Sequence, residues 1–330
     1  MTRNKDILAI VVAGPTASGK SAAALAIARE FNGVVINADS MQIYEDLPVL
    51  TARPTDAERG DVPHRLYGVL KLGEACSAAQ WRDMAIVEIS EAHQAGRLPV
   101  LCGGSGLYIK ALLEGLSPIP EIPVDVRHAV RAACDTRGLP AMRAELESRN
   151  PVMAARLEPA DRQRTLRALE VLEATGRSLA DWQAEPKSGP PPGLRFATIL
   201  LTPPRAELYA ACDERLRQMV AQGAIEDVAE VYARIEEQSD RNPAEKESLD
   251  DALLLKALGV PQFRAYCDGV LDLETAIEKA QIATRRYAKR QMTWFRGNYI
   301  SQKTITVKYS KNYDAGIFSF IRQKQLTLDN

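Results

Sequence analysis

The chain has 330 residues, of which 46% are hydrophobic and 26% are charged, so it is long enough for two domains or for one elaborated domain with a large core. The formal net charge is −1, which gives no global indication of nucleic-acid binding and leaves that role to a local basic patch. No apolar run approaches the roughly 18 residues of a membrane span, and a signal-peptide pattern is missing, so we expect a cytoplasmic protein with no membrane association.

The first half of the chain alternates between short apolar strands and helices. An apolar run at Ile7–Ala13 precedes a glycine-rich turn and an alanine-rich helix, and further apolar runs predict strands at Gly33–Asn37, Leu98–Cys102 and Arg195–Leu201. This alternation is typical of an α/β fold with a parallel sheet. Because ligands bind such sheets at the carboxyl ends of the strands, the polar residues that follow the first three strands are expected to meet in one crevice.

A proline-rich segment that begins at Ser117 interrupts this pattern. The residues that follow, to about Glu185, are predicted to be helical, with Asp161 as a helix N-cap and Gly176 as a helix C-cap. We therefore predict a P-loop NTPase-like parallel sheet core in two parts, a helical insertion domain between them, and a tail to which no role is assigned. These segments are residues 1–118 and 191–300 for the core, 119–190 for the insertion and 301–330 for the tail.

A P-loop pattern lies between the first predicted strand and the helix that follows it. It comprises Gly14, Pro15, Thr16, Ala17, Ser18, Gly19, Lys20 and Ser21. The backbone N–H groups of such a loop bind phosphate oxygens at a helix N-terminus, Lys20 adds a positive charge, and the Ser21 hydroxyl is able to bind Mg²⁺. We therefore predict a polyphosphate site with Mg²⁺ as the cofactor and Ser21 as its protein ligand.

Most P-loops serve nucleotide hydrolysis or phosphoryl transfer, so a small-molecule or nucleotide kinase is one interpretation. The third predicted strand, however, runs into Gly103 and Gly104 and lacks the aspartate that normally completes a Walker-type Mg²⁺ site. The available carboxylate is Asp39, at the end of the second strand, and its position indicates a role toward an acceptor substrate. The amide of the nearby Gln42 is able to pair with adenine, and Asp39 is able to accept a proton from the exocyclic amine of that base.

Several long motifs in this order resemble the tRNA dimethylallyltransferase (isopentenyl-diphosphate:tRNA transferase) family, from about Ile10 to Gly297. They are GPTASGKS at 14–21, NADSMQIY at 37–44, TARPT at 51–55, GGSGLYIKALLEGL at 103–116, DRQRTLRALEVLEATGR at 161–177 and TRRYAKRQMTWFRG at 284–297. The resemblance implies a P-loop core with a helical insertion. It also implies transfer of a dimethylallyl group from dimethylallyl diphosphate to N6 of the adenosine immediately 3′ of the anticodon, with the tRNA anticodon stem-loop as partner. We expect a monomer.

The resemblance also assigns roles to single residues. It makes Asp39 the general base, Ser105 (at a position that is usually threonine) the residue that orients the diphosphate, and Arg215 the residue that neutralises the leaving diphosphate. Helical spacing supports Arg215, which shares one face with Leu208 and Cys212, where an unpaired guanidinium needs an anion. The implied tRNA-binding residues are Asp39, Ser40, Met41, Gln42, Ser105, Arg127, Gln163, Arg164, Thr165, Leu166 and Arg167.

A basic stretch lies between Glu278 and Asp314, where acidic residues are absent from the sequence. It contains Lys279, Arg285, Arg286, Lys289, Arg290, Arg296, Lys303, Lys308 and Lys311. The stretch is interpreted as a phosphate-contacting surface, with a solvated helix face as the alternative. The interleaved rings of Tyr287, Trp294 and Phe295 suit ring packing beside such contacts, although Trp294 equally suits the core.

Two other functions stay open from the residues alone. A dimethylallyltransferase that acts on free AMP, ADP or ATP would share the P-loop and the acidic base, and an RNA-binding protein with a vestigial nucleotide site would share the basic surface. The helical insertion and the basic stretch favour tRNA over a free nucleotide.

Overall fold

Six parallel strands form one sheet in the computed structural model, which describes residues 6–241, 252–299 and 301–329. In chain order the strands are β1 (Ile7–Ala13), β2 (Gly33–Asn37), β3 (His64–Arg65), β4 (Leu98–Gly103), β5 (Leu194–Leu201) and β6 (Lys303–Ile305). They lie in the order β3-β2-β4-β1-β5-β6, and the pairings between them are parallel. The predicted α/β fold with a parallel sheet is confirmed.

Helices follow most of the strands. They are α1 (Lys20–Glu30), α2 (Asp56–Arg59), α3 (Ala78–Gln94), α4 (Gly106–Glu114), α5 (Val124–Arg149), α6 (Pro151–Ala155), α7 (Arg162–Thr175), α8 (Leu179–Ala184), α9 (Arg205–Ala221), α10 (Ala224–Arg241), α11 (Val260–Cys267), α12 (Leu273–Asn298) and α13 (Asp314–Asp329). Short 3₁₀ helices lie at Leu253–Lys256 and Lys311–Tyr313. Among the helices of the described ranges, none has the length and apolar character that crossing a membrane requires.

The sheet is buried on both faces, which explains why its central strands are apolar at every position. Along β1, the side chain of Ile10 belongs to the core that includes Ile321 of α13. The next side chain, Val11, belongs to the core on the opposite face, with Trp81 of α3 and Phe295 of α12. Successive side chains of a strand point to opposite faces, so each face needs its own layer of helices.

Residues 301–329, to which the sequence analysis assigned no role, belong to this sheet and to its helical layer. Strand β6 extends the sheet beside β5, with Ile305 opposite Leu201. Helix α13 packs against α1, where the ring of Phe318 meets the ring of Phe31 edge-on at 5.6 Å between centroids. A strand of three residues has too little periodicity to be recognised from the sequence alone, and its place depends on the long-range pairing with β5.

Residues 114–190 form a separate compact unit of helices, and the remaining residues form the other unit. The predicted boundary at residue 119 lies a few residues inside this helical unit. Asp161 is the N-cap of α7, where its Oδ1 accepts a hydrogen bond from the N–H of Arg164 at 3.0 Å, and Gly176 ends the same helix with φ at 66°. Both predicted helix caps are therefore confirmed. Helix α5 is interrupted at Gly138, which has non-helical φ and ψ of 79° and 157°.

The packing of α13 can be tested through its stability contribution. Ile321 is fully buried, so the substitution Ile321→Ala should lower the free energy of unfolding by about 3 kcal/mol through lost burial and a new cavity. Leu326 on the same helix is 64% exposed, and Leu326→Ala should have little effect. Urea denaturation of both variants measures the difference. Equal unfolding midpoints for the two variants would contradict the packing of α13 in the core.

Candidate active site

Three loops that follow adjacent strands meet at one edge of the sheet. Strands β2, β4 and β1 are neighbours, and their carboxyl ends lead into the turn at Asp39, the turn at Ser105 and the P-loop. The loops are in direct contact, because the N–H of Ser105 donates to the carbonyl of Ala38 at 3.2 Å and the N–H of Ser40 donates to Ser105 Oγ at 2.8 Å. The structure thus brings together the three polar clusters that were predicted to share a crevice.

The P-loop places a buried cation at the start of α1. Gly19 has φ at 90°, a left-handed conformation that glycine adopts without strain, and this conformation starts the helix at Lys20. Lys20 is buried, and its Nζ donates to the carbonyl of Pro15 at 3.3 Å. Burial lowers the pKa of Lys20, while Cys102 and Asp39 act in the opposite direction. The ammonium therefore lies in a poorly hydrated place where an anion would favour its charged form.

The other P-loop residues divide between the cavity, the interior and the surface. Thr16 and Ala17 line a cavity beside Asp39. Ser18 is fully buried, and its hydroxyl makes no hydrogen bond to any part of the chain that the structure describes. Ser21, the predicted Mg²⁺ ligand, is exposed at the helix N-terminus.

A network around Asn37 orients the predicted base. The N–H of Asp39 donates to Asn37 Oδ1 at 2.8 Å, while Nδ2 of the fully buried Asn37 donates to the carbonyl of Leu66 at 2.9 Å. Asp39 Oδ1 accepts from the N–H of Met41 at 3.0 Å, so the carboxylate caps a turn and not a helix. Within the described residues, Oδ2 of Asp39 has no hydrogen-bond partner. One oxygen therefore holds the carboxylate in the turn, and the other is available to a ligand.

A close approach between two backbones sets the position of this turn. A Cβ atom added to Gly103 would lie 2.0 Å from the carbonyl oxygen of Ala38, a distance that no side chain tolerates. Glycine at the end of β4 therefore lets the turn that carries Ser105 pack directly on the residue before Asp39.

Gln42 makes hydrogen bonds within the protein that were not considered when its contact with adenine was predicted. Its Nε2 donates to the carbonyls of Thr51 and Ala52, both at 2.9 Å. Ala52 has a positive φ of 57°, so these bonds hold a backbone conformation that is uncommon for alanine. A bidentate contact of Gln42 with adenine would require the amide to release at least one of these carbonyls. Met41, two residues after Asp39, lines the cavity instead.

Arg215 brings a second buried cation to the site from α9. It lines the cavity, and burial lowers its pKa, while Cys212 and Asp39 act to raise it. Its helical neighbours Leu208 and Cys212 are buried, in agreement with the predicted apolar face. Across the described ranges, the guanidinium makes neither a hydrogen bond nor a salt bridge. Two desolvated cations and one carboxylate therefore leave this region with an excess of positive charge.

The cavity between these elements has a volume of about 250 Å³. Its polar lining includes Thr16, Asp39, Thr51, Arg215, Thr284, Tyr287 and Arg290. Its apolar lining includes Leu50, Leu216, Met219, Ala257 and Leu258. The cavity suits a small ligand that has an anionic part and an apolar part.

Helix α12 contributes residues that the sequence analysis did not assign to the site. Thr284 and Tyr287 line the cavity, and burial raises the pKa of Tyr287, with Asp39 acting in the same direction. Gln291, one further turn along the helix, contacts the P-loop. The spacing of these three residues at i, i+3 and i+7 places them on one helix face, and this periodicity within the basic stretch was the available signal.

The basic stretch is exposed in part and engaged in part. Arg286, Lys289, Arg290 and Arg296 are exposed on α12, whereas Arg285 donates to both carboxylate oxygens of Asp213 at 2.6 Å. The predicted phosphate-contacting surface therefore consists of the exposed members, and Arg285 has an acidic partner within the chain.

The aromatic rings of this stretch have separate places. Phe295 is buried in the core, so its expected packing beside phosphate contacts does not occur in this structure. Trp294 packs directly over Gly106 at the start of α4. A Cβ on that glycine would lie 2.3 Å from the indole ring, so the contact requires a residue without a side chain. The Trp294 and Phe295 rings meet edge-on, with centroids 5.3 Å apart.

The remaining predicted tRNA-binding residues lie in the separate helical unit, and their exposure differs. Gln163 is exposed, as is Arg164, whose side chain is 72% exposed. Thr165 and Leu166 are buried in the core of this unit, so their side chains do not reach its surface. The predicted contacts of this stretch are therefore limited to the residues on its outer face.

Two further arginines of this unit have partners within it. Arg127 donates through Nε and Nη2 to the carbonyl of Ile122, at 3.1 and 2.8 Å. Arg167 donates to Glu170 Oε2 at 3.4 Å, and its side chain remains 41% exposed. Both guanidinium groups are thus positioned by short-range contacts.

The donor set limits how a divalent cation could be held. No group of three His, Cys, Asp or Glu side chains suited to a metal ion occurs in residues 6–241, 252–299 and 301–329. The end of β4 carries the buried Cys102, whose thiol pKa burial raises to about 11, where a carboxylate would serve a Walker-type site. The Ser21 hydroxyl at the helix N-terminus suits Mg²⁺, which usually takes one or two protein ligands and completes its shell with phosphate oxygens and water.

Comparisons with known proteins show which family the chain resembles along most of its length. A family model described as IPP transferase matches residues 42–298. A tRNA dimethylallyltransferase of Rhodospirillum centenum is 51% identical over 288 residues, which cover 87% of this chain and 88% of that protein. Another, from Paramagnetospirillum magneticum, is 49% identical, and the match covers 97% of each protein.

Solved structures extend the similarity to the fold. The full-length tRNA isopentenylpyrophosphate transferase of Bacillus halodurans is 31% identical, with a TM-score of 0.67 and coverage of 98% of each chain. A eukaryotic dimethylallyltransferase described as acting on tRNA is 26% identical, with a TM-score of 0.71 and coverage of 88% of this chain and 70% of that one.

Within the described residues, Arg215 is buried without a hydrogen bond or salt bridge, so its replacement should stabilise the fold and weaken the binding of anions. Arg215→Met should raise the free energy of unfolding by about 1 kcal/mol, because it removes a desolvated charge, and should strongly weaken the binding of inorganic diphosphate. The control is Arg217→Met on the same helix, since Arg217 is 51% exposed and pairs with Glu274 at 3.4 Å. Urea denaturation and calorimetric titration measure the two effects. A loss of stability in Arg215→Met, with unchanged diphosphate binding, would show that Arg215 is a structural residue.

Proposed function

This chain belongs to the IPP transferase family, and from that membership we propose how its site carries out transfer of a dimethylallyl group to tRNA. The enzyme is a tRNA dimethylallyltransferase, as its close relatives are, which confirms the family predicted from the sequence motifs. Family membership favours this reaction over the kinase and free-adenylate alternatives. The target is N6 of the adenosine immediately 3′ of the anticodon.

The proposed donor is dimethylallyl diphosphate, and the cavity supports this choice. Its diphosphate would bind the P-loop N–H groups together with Lys20 and Arg215, which are buried cations near one carboxylate. The five-carbon group would lie against the apolar lining, which includes Leu216 and Met219. Ser105 would orient the diphosphate from its position beside Ser40.

The observation that carries the proposed chemistry is the free carboxylate oxygen of Asp39 beside two buried cations. As N6 of adenine attacks the allylic carbon, a C–N bond forms and the C–O bond to the diphosphate breaks. The proton of N6 passes to Asp39 Oδ2, while Lys20 and Arg215 stabilise the charge on the departing diphosphate. The products are N6-dimethylallyl adenosine in the tRNA and diphosphate. Because a stacked base does not present N6 to a buried carbon, the adenosine would leave its stack to react.

Mg²⁺ is the proposed cofactor, held by Ser21 and by oxygens of the diphosphate. When bound, it would supply positive charge that offsets the charge of the leaving group. The protein itself offers few oxygen ligands at this place, so affinity for the ion would depend on the diphosphate.

Two exposed basic surfaces are the proposed contacts with the tRNA anticodon stem-loop. One consists of the exposed α12 residues Arg286, Lys289, Arg290 and Arg296, and the other is the outer face of α7 with Gln163 and Arg164. Phosphate contacts of this kind position RNA and depend on salt concentration. A monomer in the cytoplasm remains part of the proposal.

The role of Asp39 predicts a selective loss of transfer. Asp39→Asn should lower kcat by about 10²- to 10⁴-fold, because the amide does not accept the N6 proton. Purified protein is incubated with Mg²⁺, dimethylallyl diphosphate and unmodified tRNA, and the nucleosides released by nuclease are analysed by mass spectrometry. The fully exposed Asp56 provides the control variant Asp56→Asn. Wild-type activity in Asp39→Asn would refute the assignment of the base.

The exposure of Arg164 predicts a salt-dependent contribution to tRNA affinity. Arg164→Ala should weaken tRNA binding at low salt and reduce the slope of log K against log salt by about 1. Arg149→Ala is the control, since Arg149 pairs with Glu145 at 3.0 Å and with Glu173 at 2.8 Å, whereas Arg164 has a longer contact with Asp161 at 3.4 Å. Filter binding or fluorescence anisotropy over a series of salt concentrations measures the slope. Identical slopes for the wild type and Arg164→Ala would exclude a phosphate contact.

A further inference from the structure

A buried glutamine joins two loops of the site that are far apart in the sequence. Gln291 of α12 accepts a hydrogen bond at Oε1 from the N–H of Thr16 in the P-loop, at 2.8 Å. Its Nε2 donates to the carbonyl of Gly104, beside Ser105, at 3.0 Å. The side chain of Gln291 therefore spans the gap between the loop that would hold the diphosphate and the turn that supports the base.

The chemistry of this bridge requires an amide. Thr16 presents an N–H and Gly104 presents a carbonyl, so the side chain between them must offer one acceptor and one donor. Only one orientation of the Gln291 amide satisfies both, which leaves no ambiguity between its oxygen and nitrogen. A carboxylate would face the carbonyl with a second acceptor, and an apolar side chain would leave a buried N–H and C=O without partners.

The packing around this bridge is tight. Gln291 is 6% exposed, and a Cβ added to Gly104 would lie 2.4 Å from its Nε2. Tyr287, one turn earlier on α12, lines the cavity together with Thr16 and Asp39. A displacement of Gln291 would therefore be transmitted to Thr16 in the cavity wall and to Gly104 beside Ser105.

We propose that Gln291 is a positioning residue that fixes the P-loop relative to the turn at Gly104 and Ser105, and so sets the distance between the bound diphosphate and the base Asp39. The same helix carries the exposed arginines of the proposed RNA surface, so this glutamine also ties that surface to the phosphate site. The expected effect on kcat rests on the proposed function. The two hydrogen bonds of Gln291 do not depend on which acceptor substrate the enzyme uses.

Two substitutions separate the hydrogen-bonding role from simple space filling. Gln291→Met keeps the volume and removes both hydrogen bonds, so kcat should fall about 100-fold through misplacement of the reacting groups, with tRNA affinity unchanged. The affinity for inorganic diphosphate should fall about tenfold. The matched control is Gln281→Met, since Gln281 is also buried on α12 and donates to the carbonyl of Asp213 at 3.2 Å, away from the P-loop.

Gln291→Glu gives a readout that a structural role would not produce. A protonated carboxyl offers one donor and one acceptor, as the amide does, whereas a carboxylate offers acceptors only. Burial favours the protonated form, so the activity of Gln291→Glu relative to the wild type should rise as the pH falls from about 8 to about 5.5. The wild type and the variant share all other ionisable groups near the bridge, so the ratio isolates the carboxyl group introduced at position 291.

These experiments distinguish a failure of the inference about Gln291 from a failure of the proposed function. A fall in kcat and in diphosphate affinity for Gln291→Met but not for Gln281→Met, with acid rescue of Gln291→Glu, supports the inference. Equal effects of the two methionine variants, or a ratio for Gln291→Glu that does not change with pH, would overturn it. If the wild type transfers no dimethylallyl group, the proposed function fails, and the diphosphate titrations still decide whether Gln291 positions the P-loop.

Discussion

Burial of two cations near the carboxylate of Asp39 is the constraint that organises this molecule. Lys20 and Arg215 are desolvated. Among the described residues Asp39 is the carboxylate that acts on both of them, with a weaker effect of Glu58 on Arg215, so their burial carries an electrostatic cost that a bound anion would offset. The sheet makes this arrangement possible, because the ends of β1, β2 and β4 are rigid and adjacent. The same positive charge would stabilise a departing diphosphate, since the surrounding groups are already in place.

Helix α12 connects the chemistry to the recognition of RNA. Its inner face carries Thr284 and Tyr287 into the cavity and Gln291 onto the P-loop. Its outer face exposes Arg286 and Lys289, so the same rigid helix has one face at the phosphate site and the other in solvent. Such a helix is a physical route by which contact with RNA and the geometry of the phosphate site could influence each other.

The sequence was sufficient for features that depend on short stretches of chain. The P-loop, the apolar strands and the caps at Asp161 and Gly176 follow from local patterns, and their convergence follows from the rule for parallel sheets. Features that depend on long-range packing were out of reach. Gln291 and Thr16 are 275 residues apart, and the internal bonds of Gln42 depend on a turn whose shape includes a positive φ at Ala52. The family resemblance supplied the roles of Asp39 and Arg215, and the structure added what surrounds them.

The position of β6 has a consequence for the order in which the protein assembles during translation. Residues 303–305 pair with β5, and Tyr309 packs against Gly19 of the P-loop, so both contacts form only after nearly all the preceding residues have left the ribosome. Until then the outer edge of β5 has unpaired backbone groups, which are a template for association with other chains. Synthesis therefore leaves an interval in which one sheet edge is open to association and the phosphate loop lacks its contact with Tyr309.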